Sequence, residues 1–175
     1  MRLTGRASLH ATVAQVYAKL DEPDVIAAAI PGCEHMERVA VDAYKVTIAA
    51  GVGSLKGRYT GDLVVEGRRA PEAFVVRTFG AGTLGTIASR IDVTLTTGRD
   101  GRTEVSYDGE VTADGAIAAV GNHLLRHAVK KALGEFFAAL DVALGAEPPP
   151  SLSDRGLSLL GSAGGLLVRL GRSGG

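Results

Sequence analysis

The chain of 175 residues has no tryptophan, a single cysteine and few aromatic residues. One cysteine cannot form an internal disulfide, so we expect a protein of a reducing compartment. Neither sign of charge is in excess, because 19 Lys and Arg residues balance 19 Asp and Glu residues. This balance argues against a nucleic-acid-binding protein, which usually carries a basic excess gathered on one face.

Long apolar runs are also missing. No stretch approaches the roughly 20 apolar residues of a membrane-spanning helix, and the first residues lack the apolar region of a signal peptide. We therefore expect a cytoplasmic protein. Hydrophobic residues still make up 46% of the chain, which is enough for a sizeable and mostly aliphatic core.

The first third of the chain contains one strand pattern and two short helix patterns. Residues 2–10 alternate between apolar and polar, which predicts a strand. Thr12 and Gln15 have the spacing of a capping box at the start of a helix. A second short helix is predicted with Pro23 near its first turn, and Pro31-Gly32 ends it.

The remainder predicts a sheet followed by a long helix. Residues 36–112 alternate with period two over about six runs, as in an antiparallel sheet covered on one face. The sequence GRDGR at 98–102 is a strong hairpin turn. Residues 115–144 predict one helix, about 45 Å long, which Gly145 and the prolines at 148–150 end. The fold class is α+β: a curved antiparallel sheet with this helix across its concave face.

Two candidate sites for chemistry have weak support in the sequence. Cys33 and His35 lie two residues apart but lack the third group that orients a catalytic dyad. His123 and His127 share one face of the long helix, yet a metal site needs three or four ligands. We predict no catalytic residue and no metal site.

Two further patterns are also better explained by structure than by chemistry. The sequence GAGTLG at 80–85 matches a dinucleotide-binding loop, but a strand pattern follows it where such a loop must open a helix. A glycine-rich hairpin is the simpler interpretation. Asp108 and Glu110 lie on the polar face of their strand, so they should point to water and not form a buried acid-base pair.

The inner face of the predicted sheet is the strongest candidate for a binding site. Tyr44, Tyr59 and Tyr107 fall on this face, where hydroxyls could fix the polar end of an apolar ligand. The alternative is a filled core. Small residues at Gly57, Gly61, Gly109, Ala116 and Ala128 favour a hollow. The predicted lining residues are Tyr44, Val46, Ile48, Leu55, Tyr59, Leu63, Phe74, Val76, Ile91, Tyr107, Ile117, Val120 and Leu124.

The end of the chain predicts an appendage. We expect a ligand-binding domain at 1–146, a proline-rich linker at 147–157 and an amphipathic tail at 158–175. Five leucines would give about 10 kcal/mol on burial, and each of three glycines costs a helix about 1 kcal/mol. Reversible attachment to a membrane surface is therefore predicted, with a disordered tail or a protein-docking segment as alternatives. The predicted membrane-binding residues are Leu159, Leu160, Leu166, Leu167 and Leu170.

Several of these segments resemble the G-subunit family of carbon monoxide dehydrogenase. The residues that carry the resemblance are Asp24, the sequence IPGCE at 30–34, Tyr44 and the sequence GVGSLKGRYTG at 51–61. The sequence AAVGNHLLRHAVKKALGEFF is similar to the family's final helix, although His123 and His127 depart from it. The resemblance covers about residues 1–142.

The resemblance carries its own expectations. The family is similar to the START-like (SRPBCC) superfamily, which implies a helix-grip fold around an apolar cavity. Members accompany molybdenum-containing dehydrogenases, which implies recruitment of such an enzyme to the inner face of the cell membrane, or handling of a lipophilic carrier such as a quinone. No covalently bound cofactor is implied. The alternatives are an enzyme of the cyclase or hydrolase type and an assembly factor with an empty cavity.

Overall fold

The computed structural model describes residues 1–146, so the predicted linker and tail lie outside the described residues. The element order agrees with the predicted strand, two helices, six strands and helix. The elements are β1 (Arg2–Leu9), α1 (Val13–Lys19), α2 (Pro23–Ala29), β2 (Cys33–Ala40), β3 (Ala43–Val52), β4 (Leu55–Arg69), β5 (Ala73–Gly82), β6 (Gly85–Thr97), β7 (Thr103–Asp114), a 3-10 turn (Ala118–Val120) and α3 (Asn122–Ala143).

The seven strands form one curved antiparallel sheet in the order β1-β7-β6-β5-β4-β3-β2. The strands from β2 to β7 follow one another as hairpins, while α1 and α2 carry the chain from β1 to the opposite edge. β1 then pairs with β7, with Leu3 opposite Gly109. This pairing brings the first and last strands of the chain together, and α3 lies against the inner face of the sheet.

Local sequence accounts for the two short helices. The Thr12 side chain accepts a hydrogen bond from the backbone of Gln15, and the Gln15 side chain accepts one from the backbone of Thr12. The predicted capping box is confirmed. Pro23 begins α2, where its missing N–H leaves no helical bond unmade.

The long helix is shorter than predicted at its first end. We predicted it over 115–144, but α3 begins at Asn122 and is about 33 Å long. Gly115 and Gly121 both have positive φ, at 84° and 88°, which an α-helix cannot accommodate. The apolar spacing continues through these glycines, so periodicity alone did not reveal the break. Among the α-helices within residues 1–146, none combines the length and apolar character that a bilayer crossing requires.

The core has two apolar clusters under the sheet. The larger joins β1, α1, the middle strands and the end of α3; its buried members are Leu9, Val16, Phe74, Leu95, Val105 and Leu140. The smaller lies at the other end of α3 and contains Val52, Ile117 and Leu125. Helix α3 is therefore fixed to the sheet at both ends, by Leu125 and Leu140.

Replacing Leu140, which is 1% exposed, with alanine is expected to lower the free energy of unfolding by about 2–5 kcal/mol, because it removes apolar contacts and leaves a hole in the larger cluster. The matched control is Val142→Ala on the same helix, where the side chain is 47% exposed and the change should be within about 0.5 kcal/mol. Urea unfolding of both variants measures the difference; similar losses in both would contradict this placement of α3.

Candidate ligand-binding cavity

A cavity of about 420 Å³ lies between the inner face of the sheet and α3, with α1 and α2 contributing to its wall. Its size falls in the range of small-molecule sites, about 300–1,000 Å³. The wall is almost entirely apolar. On α3 it consists of Val129, Ala132, Leu133, Phe136, Phe137 and Leu140, which follow helical spacing along one face.

Seven of the residues predicted to line a cavity lie on this wall. All seven are on the strands of the sheet, because the period-two pattern places their side chains on the inner face. They are Tyr44, Ile48, Leu63, Phe74, Val76, Ile91 and Tyr107. Their contact with a ligand stays a prediction.

The three lining residues predicted near the start of the long helix are not on the wall. Leu124 is 49% exposed, because a helix that begins at Asn122 turns Leu125 and not Leu124 towards the sheet. Ile117 and Val120 precede α3 and belong to the smaller core cluster, beyond the end of the cavity. The correction follows directly from the later helix start.

Three predicted strand residues are also absent from the wall. Leu55 starts β4 and pairs with Val52 of the smaller cluster. Val46 is buried between two wall residues of β3 without reaching the cavity. Tyr59 lies instead against two glycines: a Cβ at Gly82 would stand 3.0 Å from its ring. Of the glycines that favoured a hollow in the sequence, Gly57 also lies beside the Tyr59 ring, whereas a Cβ at Gly61 or Gly109 would meet the backbone of a neighbouring strand.

Tyr107 shows the same use of glycine inside the cavity. Its ring lies over Gly5 on the neighbouring strand, where a Cβ would overlap the hydroxyl. The opposite face of the ring stacks on Phe137 of α3, with 6.0 Å between centroids and 19° between planes. Burial raises the pKa of Tyr107 above its ordinary value, because the ionised form would lose hydration.

Arg68 is the one charged side chain on the wall among the described residues, and it was not predicted from the sequence. Its neighbour Val65 also lies on the wall, although residues three apart in a regular strand face opposite sides. The reason is a bulge: the pairing of β4 with β5 shifts between Glu66 and Arg69, and Gly67 has φ of 58°. The extra residue turns Arg68 inward. The glycine in the strand pattern EGRR was the signal that could have indicated it.

The guanidinium of Arg68 is held from three sides. Nη2 donates to Asp21 and to Asp42 at 2.7 Å each, and Nη1 donates to the hydroxyl of Tyr17 at 3.1 Å. Burial lowers the pKa of Arg68, but the hydrogen bonds to Asp42 and Tyr17 and the charge of Asp21 outweigh it, so the pKa lies above its ordinary value. Arg68 is therefore a permanent cation at this end of the cavity.

The patterns set aside in the sequence analysis have structural explanations. Gly82 pairs with Gly85, so the GAGTLG sequence forms the hairpin that joins β5 to β6, as predicted. Asp108 forms an exposed two-point pair with Arg2 on the outer face. Burial raises the pKa of the Cys33 thiol, which opposes formation of a reactive thiolate, despite a smaller lowering by the backbone of His35.

The two histidines of α3 are both exposed on its outer side. Within residues 1–146, no three His, Cys, Asp or Glu side chains come together in a way that could hold a metal ion.

Comparison with known proteins identifies one family. The family model of the carbon monoxide dehydrogenase G subunit (CoxG) matches residues 5–145. No curated protein matches the chain. A conserved protein from Geobacillus kaustophilus superposes with a TM-score of 0.79 at 26% identity, covering 83% of this chain and 95% of that one.

Two more distant structures share the fold. A START superfamily protein from Mycobacterium smegmatis has a TM-score of 0.62 at 10% identity, covering 82% of this chain and 97% of its own. The ZhuI aromatase/cyclase from Streptomyces sp. R1128 has a TM-score of 0.59 at 13% identity, covering 83% and 93%. At these identities the likeness concerns the fold alone, and it confirms the predicted helix-grip architecture.

Replacing Tyr59 with phenylalanine is expected to stabilise the protein by about 1 kcal/mol, because the buried Tyr59 hydroxyl has no hydrogen-bond partner among the described residues. Burial also raises the pKa of Tyr59 above 10.0, so the unfolded chain loses this proton first. The free energy of unfolding is therefore unaffected by this ionisation below about pH 10 and falls as the pH rises above it, because the unfolded chain ionises more readily. Urea unfolding at about pH 8 and about pH 11 should show a smaller decline for Tyr59→Phe. A loss of stability near pH 8 would instead reveal a partner for the hydroxyl.

Proposed function

Because the chain belongs to the CoxG family of carbon monoxide dehydrogenase, we propose that it is an accessory protein that binds a lipophilic ligand in the cavity under its sheet. The observation that carries the proposal is the apolar wall around about 420 Å³ of space. A ligand that buries about 200 Å² of apolar surface there gains about 5 kcal/mol. Association costs a similar amount or more, so tight binding also needs a polar contact.

Binding is favoured over catalysis by the chemistry of the wall. A cyclase or hydrolase needs a general acid or base within reach of its substrate, most often His, Asp or Glu. None of these three residue types lies on the wall formed by residues 1–146. The polar wall residues are three tyrosines, Thr78, Ser89 and Arg68. Such groups can orient a ligand. The wall formed by residues 1–146 offers no carboxylate or imidazole that would transfer protons to or from that ligand.

The finer proposal concerns the ligand and the partner. The family is named for a subunit of carbon monoxide dehydrogenase, which supports an oxidoreductase of that type as the partner. A molybdenum-containing enzyme of that type must pass electrons onward, and a quinone-like molecule combines an apolar ring with carbonyl oxygens. Such a ligand suits an apolar cavity with a few hydroxyls. We propose that the protein carries it between the dehydrogenase and the membrane surface, on the inner face of the cell membrane.

Filling the cavity from α3 tests ligand binding. The variant Ala132→Trp places an indole on the wall and should abolish the binding of lipophilic ligand, because the ring occupies the space. The matched control is Ala138→Trp on the same helix, where the side chain is exposed. Native mass spectrometry of both variants, purified from the protein's own host, should detect a lipid on the control and on the unchanged protein only.

Thermal unfolding checks that Ala132→Trp remains folded, since overpacking a core costs about 1–3 kcal/mol. Equal lipid content in a folded Ala132→Trp and in Ala138→Trp would contradict binding in this cavity. A protein that carries no lipid in any form would favour the alternative, an assembly factor with an empty cavity.

The role of the tail in membrane attachment remains a prediction from the sequence. Deleting residues 148–175 should remove binding to liposomes, because the five leucines predicted to bind the membrane leave with the segment. A full-length control with Leu159, Leu160, Leu166, Leu167 and Leu170 replaced by serine separates their contribution from that of chain length. Co-sedimentation with liposomes measures both. Unchanged binding by the deletion variant would refute the anchor.

A further inference from the structure

The polar end of the cavity is built from Tyr17 and Arg68, both on the wall. The phenol oxygen of Tyr17 accepts a hydrogen bond from Nη1 of Arg68 at 3.1 Å. A tyrosine hydroxyl can accept and donate at once. Because its oxygen already serves as the acceptor for a cation, its own hydrogen is left to donate, and the bond from Arg68 strengthens it as a donor.

The charge at this end selects against anions. The carboxylates of Asp21 and Asp42 each accept from Nη2 of Arg68 at 2.7 Å, so one cation faces two anions. The cluster carries a net charge of −1 when all three are ionised. A ligand carboxylate placed beside Tyr17 would therefore meet net repulsion.

Three of the five N–H groups of Arg68 are committed to Tyr17, Asp21 and Asp42. Nη2 is occupied by both aspartates, and Nε is enclosed by neighbouring atoms without a hydrogen-bond partner. The ring of Tyr17 contacts both the guanidinium and Phe74: the guanidinium carbon is 5.5 Å from the Tyr17 centroid, and the Tyr17 and Phe74 rings meet edge to face with 6.1 Å between centroids. Arg68 is thus a positioning residue, and Tyr17 is the donor.

We propose that the Tyr17 hydroxyl holds an uncharged acceptor, a carbonyl oxygen on an apolar ligand, and that Asp21 and Asp42 exclude ligands with a carboxylate. This inference rests on the proposed binding function and adds the residue that holds the ligand's polar end and the two residues that exclude carboxylates. The other wall hydroxyls are placed differently. Thr78 and Ser89 bond to each other at 2.7 Å. Arg38 lies 5.7 Å from the ring centroid of Tyr44, but within residues 1–146 it makes no hydrogen bond to that hydroxyl, and Tyr107 lies over Gly5.

Three probes of the same shape test the proposal: 2-acetylnaphthalene, 2-isopropylnaphthalene and 2-naphthoate. They share one ring system and differ in carrying a neutral carbonyl, a hydrocarbon group or a carboxylate. Their affinities are measured by displacement of a neutral fluorescent dye, N-phenyl-1-naphthylamine, from the full chain. The ketone should bind about tenfold more tightly than the hydrocarbon, as expected for one retained hydrogen bond, and the carboxylate should bind most weakly.

The variants assign this preference to its residues. Tyr17→Phe should remove the preference for the ketone over the hydrocarbon and leave hydrocarbon affinity unchanged, since the ring and its contact with Phe74 remain. Tyr59→Phe, on a ring that does not line the cavity, is the matched control and should preserve the preference, while Tyr107→Phe tests the rival hydroxyl on the wall. Asp21→Asn, which makes the cluster neutral, should raise the affinity for 2-naphthoate several-fold. A ratio of affinities is unaffected by a uniform loss of folded protein.

The outcomes separate the two proposals. If the hydrocarbon binds but the ketone binds no better, or if Tyr107→Phe removes the preference and Tyr17→Phe does not, this inference is overturned while the binding cavity stands. If 2-naphthoate binds most tightly to the unchanged protein, the charge argument is overturned. If none of the three probes displaces the dye and the dye itself fails to bind, the proposed function fails as well.

Discussion

A seven-stranded sheet presents more apolar surface on its inner face than one 22-residue helix can cover. The rest of the structure depends on this mismatch. At both ends of α3 the gap is closed by side chains, through Leu125 in one cluster and Leu140 in the other. Between these two points the layers stay apart, and the cavity of about 420 Å³ remains. The short helices α1 and α2 complete its wall without filling it.

The cavity wall formed by residues 1–146 is charged at one place because one strand is irregular. The bulge at Gly67 turns Arg68 from the outer to the inner side of β4, where a regular strand would have kept it in water. Partial burial of an arginine favours pairing, and Asp21 and Asp42 provide that pairing from two different turns. The same cluster ties the α1–α2 turn to the β2–β3 turn, so the polar end of the cavity also joins the short helices to the sheet.

Sequence patterns predicted seven of the strand residues on the wall and none of the wall residues on α3. Residues such as Ile48 and Ile91 were found because the pleat of a strand leaves only two choices of face. The helix side failed at Leu124, since two glycines delayed the start of α3 and rotated the face that meets the sheet. Tyr59 was misplaced because alternation assigns a face but not a depth: its ring lies on Gly82 instead of entering the hollow.

The sequence by itself determined the element order, the antiparallel sheet, the capping of α1 and the family, because these depend on local spacing and on short motifs. Only the tertiary structure decided where the hollow lies and what its polar end contains. Tyr17, Asp21, Asp42 and Arg68 are separated by up to 51 residues along the chain, and their contact arises from a bulge and two turns meeting across the sheet. No periodicity records that meeting, because it is a property of how elements pack and not of any one element.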